Sequence, residues 1–200
     1  MSTYKPKRYK PVVAPDTGRV SPYLTHHLVP GFYNNIQLDE PFDLVVEEKG
    51  FNEVIADGSL FGFQWPVSLN GVTFDAPAAA ALPETIMLMG TVDFADWPVV
   101  MTIVFKPKLD ENGMLYLNLQ SVKAGLLDIS FLAKKIGSRV FAAQIQATQG
   151  LDREWLEKVS AAFLENKPFE PVFDVYERQI RLTKAKIEST KVVLTFVPEE

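Results

Sequence analysis

The sequence predicts an α+β fold, a twisted antiparallel sheet built of a meander plus C-terminal strands and wrapped around one long helix, with flanking helices. Three observations lead there. Residues 84–123 read as three consecutive strands separated by short turns, residues 129–164 as two successive helices, and residues 169–197 as extended segments again. Strands joined by tight turns pair antiparallel, whereas a parallel sheet needs a crossover between each strand and the next.

Taken in order, residues 1–20 contain Lys5, Lys7, Arg8 and Lys10 among prolines and show no periodicity. They are expected to be a basic tail ahead of a single domain spanning 21–200, solvated or lying next to a membrane surface. Ser21-Pro22 reads as an N-cap with proline at the first helical position. Leu24, His27, Leu28, Phe32 and Ile36 continue that helix at helical spacing, with a kink or break expected at Pro30-Gly31. "FDLVV" (42–46) is a short strand running into a helix whose Phe51, Val54 and Ile55 form its buried side. The helix is expected to stop at Asp57-Gly58. The alanines at 78–81 favour helix by composition, but Pro77 and Pro83 leave too little room for one. Edge-strand pieces around 72–75 and 78–82 are predicted instead.

The meander follows over 84–94, 98–107 and 114–123, with Asp110-Glu111-Asn112-Gly113 as a turn. In the first of these strands, Ile86 and Leu88 point one way and Met87 and Met89 the other. Ile129, Leu132, Ala133, Ile136, Val140, Ala143 and Ala147 make an apolar stripe on a long helix that ends at Gly150. A second helix follows, with Leu151, Trp155, Val159, Ala162 and Phe163 on one face. The last strands turn at "ESTK" (188–191). One sheet of about five or six strands is the expected result.

Composition narrows the function. The 200 residues are 47% hydrophobic, enough for one substantial core. A net charge of −5 lacks the basic footprint of nucleic-acid binding. The absence of cysteine excludes disulfides and thiolate metal sites. No apolar run reaches the ~18 residues of a membrane span.

Catalytic and metal patterns are not displayed. His26 and His27 are adjacent, about 100° apart on a helix, and cannot face one ion together. One is expected at the surface and one under the sheet. Asp39/Glu40 and Glu47/Glu48 fall in charge-rich, exposed stretches, and the 110–113 loop is too short for calcium. No phosphate loop or nucleophile elbow is present. No metal or other cofactor is therefore expected. Asn35 and Asn52 are expected to hydrogen-bond otherwise unpaired backbone, with Asn52 fixing a helix against a sheet edge.

The informative anomaly is the strand Val99–Phe105, apolar everywhere except Thr102. An antiparallel strand with both faces apolar needs a cover on each. The long helices can cover Met101, Ile103 and Phe105. The other face, Val100 and Val104, awaits the helix 21–36, a partner, or an apolar ligand. Met87, Met89 and Met101 cluster here, and methionine adapts to variable apolar shapes.

"SPYLTHHLVPGFYNN", "PFDLVVEEKGFNEVIA", "ETIMLMGTVDF", "VVMTIVFKPKLDENGMLYLNL" and "VKAGLLDISFLAKKI" occur in this order. So ordered, over about residues 21–197, the chain resembles uncharacterised bacterial membrane-anchored proteins with a small extracytoplasmic α+β domain. These are similar in layout to bacterial relatives of the tubular lipid-binding superfamily. Asn52 and Gly125 mark the two strand-to-helix junctions of that layout. The usual N-terminal anchor or signal sequence of such proteins has no counterpart in this sequence. The resemblance implies a curved sheet enclosing an acyl chain, at the outer side of a bacterial cytoplasmic membrane. The expected function is non-enzymatic binding of a lipid or other apolar molecule, lined by Met87, Met89, Met101, Ile103, Phe105, Leu132, Ile136 and Val140. The alternative is a protein-interaction or envelope-assembly module without a small-molecule ligand.

Overall fold

The computed structural model describes residues 4–12, 20–57, 65–69, 72–94, 97–147, 151–175 and 178–199. Its helices are α1 (Val29–Ile36), α2 (Glu48–Asp57), α3 (Ser130–Ala147) and α4 (Leu151–Glu165). A five-residue π-helical segment, Leu24–Leu28, runs directly into α1. The strands are β1 (Phe42–Glu47), β2 (Val67–Leu69), β3 (Val72–Leu82), β4 (Thr85–Phe94), β5 (Trp97–Leu109) and β6 (Leu115–Ala124), followed by β7 (Leu127–Asp128), β8 (Val172–Val175), β9 (Arg178–Glu188) and β10 (Lys191–Glu199).

The fold is α+β with antiparallel sheets, as the strand and helix patterns predict. It has two sheets rather than one. A four-stranded sheet runs β1-β10-β9-β8 and a six-stranded sheet runs β2-β3-β4-β5-β6-β7. The meander and the C-terminal strands therefore separate, because β10 takes β1 as its neighbour, pairing Phe42 with Phe196 and Glu47 with Lys191. The stops expected at Gly58 and Gly150 lie outside the described residues.

The two sheets share one core. Phe105, Leu115 and Leu117 of the larger sheet meet Phe42, Ile180, Leu182 and Phe196 of the smaller. Ala162 of α4 and Ile36 of α1 join them, with Trp155, Val159 and Phe163 packed alongside. Phe32 and Phe42 approach Phe196 edge-on and stacked, each at 5.5 Å. Each such side chain contributes roughly 1.5–3 kcal/mol by leaving water. Trp155, Val159, Ala162 and Phe163 of the stripe predicted on 151–164 thus enter this core, and the side chain of Leu151 lies outside the described part. Of the stripe predicted on 129–147, the side chains of Ala133, Ile136, Val140, Ala143 and Ala147 lie outside the described part, and Leu132 is exposed.

Local chemistry explains the turns. The Asp110 carboxylate accepts the N–H groups of Asn112 and Met114 at 2.9 Å each, and Gly113 takes φ +75°. The loop closes a hairpin, as Asn-Gly favours. Glu188 pairs with Lys191 across Ser189-Thr190, the turn expected at "ESTK". Ser21 caps the N-terminal helix through the Leu24 N–H at 3.2 Å.

The alanine run is strand, and all four alanines are buried. Ala79 and Ala81 lie beyond β2 on the edge of β3, and helix α2 seals that edge. Asn52 takes both backbone groups of Ala79, and the Glu48 carboxylate accepts the Ala81 N–H at 2.8 Å. The Thr190 N–H reaches the Ala81 carbonyl at 3.3 Å, so the β9–β10 turn ties the two sheets together. An edge so occupied cannot recruit another strand.

Candidate functional site

The eight residues expected to line one cavity do not share a surface. In the β4–β5 register Met87 lies opposite Val104 and Met89 opposite Thr102, while Leu88 opposes Ile103 and Gly90 opposes Met101. Cross-strand partners share a face, so Met87 and Met89 lie on one side of the sheet, and Met101, Ile103 and Phe105 on the other. Phe105 is in the main core, 5.0 Å from the Phe163 ring. Leu132 is at the surface, and the side chains of Ile136 and Val140 lie outside the described part.

The second face of the β5 strand has a cover that sequence reasoning missed. It is not the helix 21–36, which packs on Phe42 and Phe196 of the smaller sheet. Tyr9 packs on a cluster of Ala78, Ala80, Met89 and Val100, with Met87 beside it. The Tyr9 hydroxyl lies 2.8 Å from the Ala76 carbonyl and 2.7 Å from Thr91 Oγ1. Residues 4–12 thus include an apolar anchor, while Lys5, Lys7, Arg8 and Lys10 remain exposed. The signal was one aromatic residue among the cations of "KPKRYK", and nothing local shows which surface it meets.

His26 and His27 are both exposed, correcting the expectation that one lies under a sheet. They border an open cleft of about 710 Å³ between the N-terminal helix and β1, together with Tyr23, Asn35, Asp43 and Glu53. Its polar groups largely tie the helix to the body. Glu53 accepts from Ser21 Oγ at 2.9 Å and from the Tyr23 N–H at 3.0 Å, and Asn35 donates to Gly31 of its own helix. Among the described residues no three His, Asp or Glu side chains are grouped to hold a metal ion.

The largest departure from ordinary burial is at the β6–β7 turn and the start of α3. Leu126 is 74% exposed, Leu127 71% and Phe131 80%, with Leu132 beside them at 36%. The turn has two residues, Gly125-Leu126, with Ala124 paired to Leu127 and Gly125 at φ +60°. Gly125 therefore serves a hairpin turn ahead of the helix rather than the strand-to-helix junction itself. Its N–H bonds the Val100 carbonyl at 2.8 Å, fixing the turn against the sheet. Asp128 Oδ1 accepts the Ser130 N–H at 2.9 Å, and Ser130 Oγ accepts the Val122 N–H at 2.9 Å. The helix start is thereby fixed against β6, and the apolar side chains point outward from an anchored backbone.

Phe131, Lys135 and Arg139 follow at i, i+4 and i+8, one stripe of the helix, and both cations are exposed. Lys123 is exposed on β6, opposite Asp128. Hydrogen bonding from Ser130, hydroxyl first and backbone N–H second, holds the Asp128 carboxyl below its ordinary pKa against a small desolvation effect, with Lys123 adding attraction. Sequence reasoning placed Leu132 on an inward stripe and passed over Phe131. Its cue was that Phe131 falls off the stripe of Ile129, Leu132 and Ile136, so helical geometry aims it elsewhere.

No protein-family model, curated protein or solved structure matches the chain. Among the described residues no helix is long and apolar enough to cross a membrane.

Proposed function

We propose that the protein is a non-enzymatic lipid-binding module that docks reversibly on an anionic bilayer through the β6–β7 turn and the first turn of α3. The observation that carries this reading is the outward display of Leu126, Leu127 and Phe131 beside the exposed cations Lys123, Lys135 and Arg139. Apolar tips enter the acyl boundary while cations stay at the anionic headgroups. Burying three such side chains is worth on the order of 5 kcal/mol. Each cation near the surface adds about 1 kcal/mol. That magnitude suits reversible peripheral attachment. The resemblance in layout to bacterial envelope proteins supports placing the surface at the outer side of the cytoplasmic membrane.

The test is flotation of the full chain with vesicles of phosphatidylglycerol and phosphatidylcholine, against phosphatidylcholine alone. The protein is expected to float with the anionic vesicles. Phe131→Asp combined with Leu127→Asp is expected to abolish flotation with little change in unfolding midpoint, because neither residue is buried. Raising salt toward 1 M shortens the screening length to about 3 Å and is expected to weaken flotation without eliminating it, since the apolar contribution persists. Equal flotation of the double variant would remove the reading. Failure of the unaltered protein to float would favour a protein partner at the same surface.

A further inference from the structure

We propose that the free edge of β1 and the N-terminal helix form a groove that takes an extended, lysine- or arginine-bearing segment of a partner protein as an added strand. β1 closes one end of the four-stranded sheet, and no described strand pairs with its other side. The parity of the ladder shows what that side offers. The Glu48 N–H bonds the Thr190 carbonyl at 2.8 Å, so Phe42, Leu44 and Val46 turn their backbone groups toward β10. Those of Asp43, Val45 and Glu47 therefore point to the free edge. The Glu47 N–H ends on the Tyr23 hydroxyl at 2.9 Å. Asp43 and Val45 present both N–H and C=O with no described strand to receive them, and both residues are exposed.

The cleft of about 710 Å³ runs along this edge. Asp43, Leu44 and Val45 all border it. Side chains of consecutive strand residues alternate between faces, so only the edge itself brings all three to one cleft. The opposite wall is a helical stripe: Tyr23, His27, Gly31 and Asn35 recur every fourth residue and line the cleft together. Gly31 leaves the middle of that wall open, since a Cβ there meets only Leu44 Cδ1, at 4.0 Å. Extended peptides add as strands to exposed sheet edges, with main-chain bonds giving affinity and neighbouring side chains giving specificity.

Charge selects the occupant. Asp43, Glu47 and Glu53 line the cleft against one lysine, Lys49. Lys191, opposite Glu47 on β10, is engaged by Glu188 at 3.2 Å. A second copy pairing antiparallel about Val45 sets Asp43 of one chain against Glu47 of the other, twice, and like charges directly opposite repel. A segment of pattern Lys-X-Val-X-Lys in the same register places a cation opposite each carboxylate and an apolar side chain beside Val45. This edge belongs to the smaller sheet, whereas the β6–β7 turn belongs to the larger, and strand addition needs no membrane.

The experiment is fluorescence anisotropy of the labelled peptide GSKIVIKSG titrated with the full chain, without vesicles. Saturable binding is expected. The same peptide N-methylated at its valine lacks the donor to the Val45 carbonyl and is expected to bind about tenfold more weakly. GSEIVIESG, with both cations reversed, is expected to bind severalfold more weakly, and Glu47→Lys to narrow that preference. Val45→Pro removes an N–H that faces away from β10, and is expected to reduce binding about tenfold with the fold retained. Failure to bind GSKIVIKSG overturns the proposal, as does equal binding of the N-methylated peptide, which decides with the unaltered chain even if Val45→Pro does not fold. Dimerisation in sedimentation that Val45→Pro abolishes assigns the edge to a second copy and overturns it as well.

Discussion

The side chain of Asn52 pairs with Ala79 as a neighbouring strand would: Oδ1 accepts the Ala79 N–H at 2.5 Å and Nδ2 donates to its carbonyl at 2.7 Å. Nδ2 also reaches the Glu48 carbonyl at 2.8 Å, so one carboxamide joins helix α2 to the β3 edge. Both residues are buried, and water cannot replace these bonds.

Replacing Asn52 by alanine leaves a buried N–H and a buried carbonyl without partners, an expected loss of about 2–4 kcal/mol in urea unfolding. Asn52→Asp keeps an acceptor for the Ala79 N–H but turns a carboxylate toward its carbonyl. That environment raises the carboxyl pKa, so the variant is expected to be more stable at pH 4, where the protonated acid can donate, and to lose stability as pH rises through that pKa. Equal deficits at pH 4 and pH 7 would contradict this geometry.

Gly50 is required by a ring. A Cβ built at Gly50 falls on Tyr23, at Cζ, Cδ1 and Cδ2 together, and the Tyr23 hydroxyl accepts the Glu47 N–H at 2.9 Å. In an open helix the change from glycine to alanine stabilises by up to about 1 kcal/mol. Here displacement of a packed ring outweighs that gain, and Gly50→Ala is expected to destabilise by about 1–3 kcal/mol. In a Tyr23→Ala background the same change is expected to stabilise. A double-mutant cycle in thermal unfolding reads that reversal of sign.

The β6–β7 turn and the start of α3 have their own pH dependence. Ser130 lowers the Asp128 pKa, so the contribution of this cap is present above the ordinary carboxylate range and is lost as pH falls through the depressed value. The Ser130 amide resonance and its exchange protection are expected to change over that acidic window. Asp128→Asn retains an acceptor and is expected to remove the change. A titration of the Ser130 amide that persists in Asp128→Asn would point to another group.

Features set by neighbours along the chain were legible in the order of the amino acids. Asp110 and Gly113 close their turn with atoms a few residues apart, Trp155, Val159 and Ala162 share a face because of helical pitch, and Pro77 and Pro83 hold the alanine run out of a helix. Even the two-sided character of Val99–Phe105 was legible, because alternation is a period of two. The division into two sheets was decided only in the tertiary structure, since the β1–β10 ladder joins residues about 150 positions apart and no local pattern distinguishes it from an extension of the meander. Distance along the chain also hid Tyr9 over the second face, whereas Met87 and Met89 part from Met101 through the register of the β4–β5 hairpin. Exposure of Leu126, Leu127 and Phe131 was decided there as well: an apolar residue is buried only where another element arrives to cover it, and at this turn none of the described elements does.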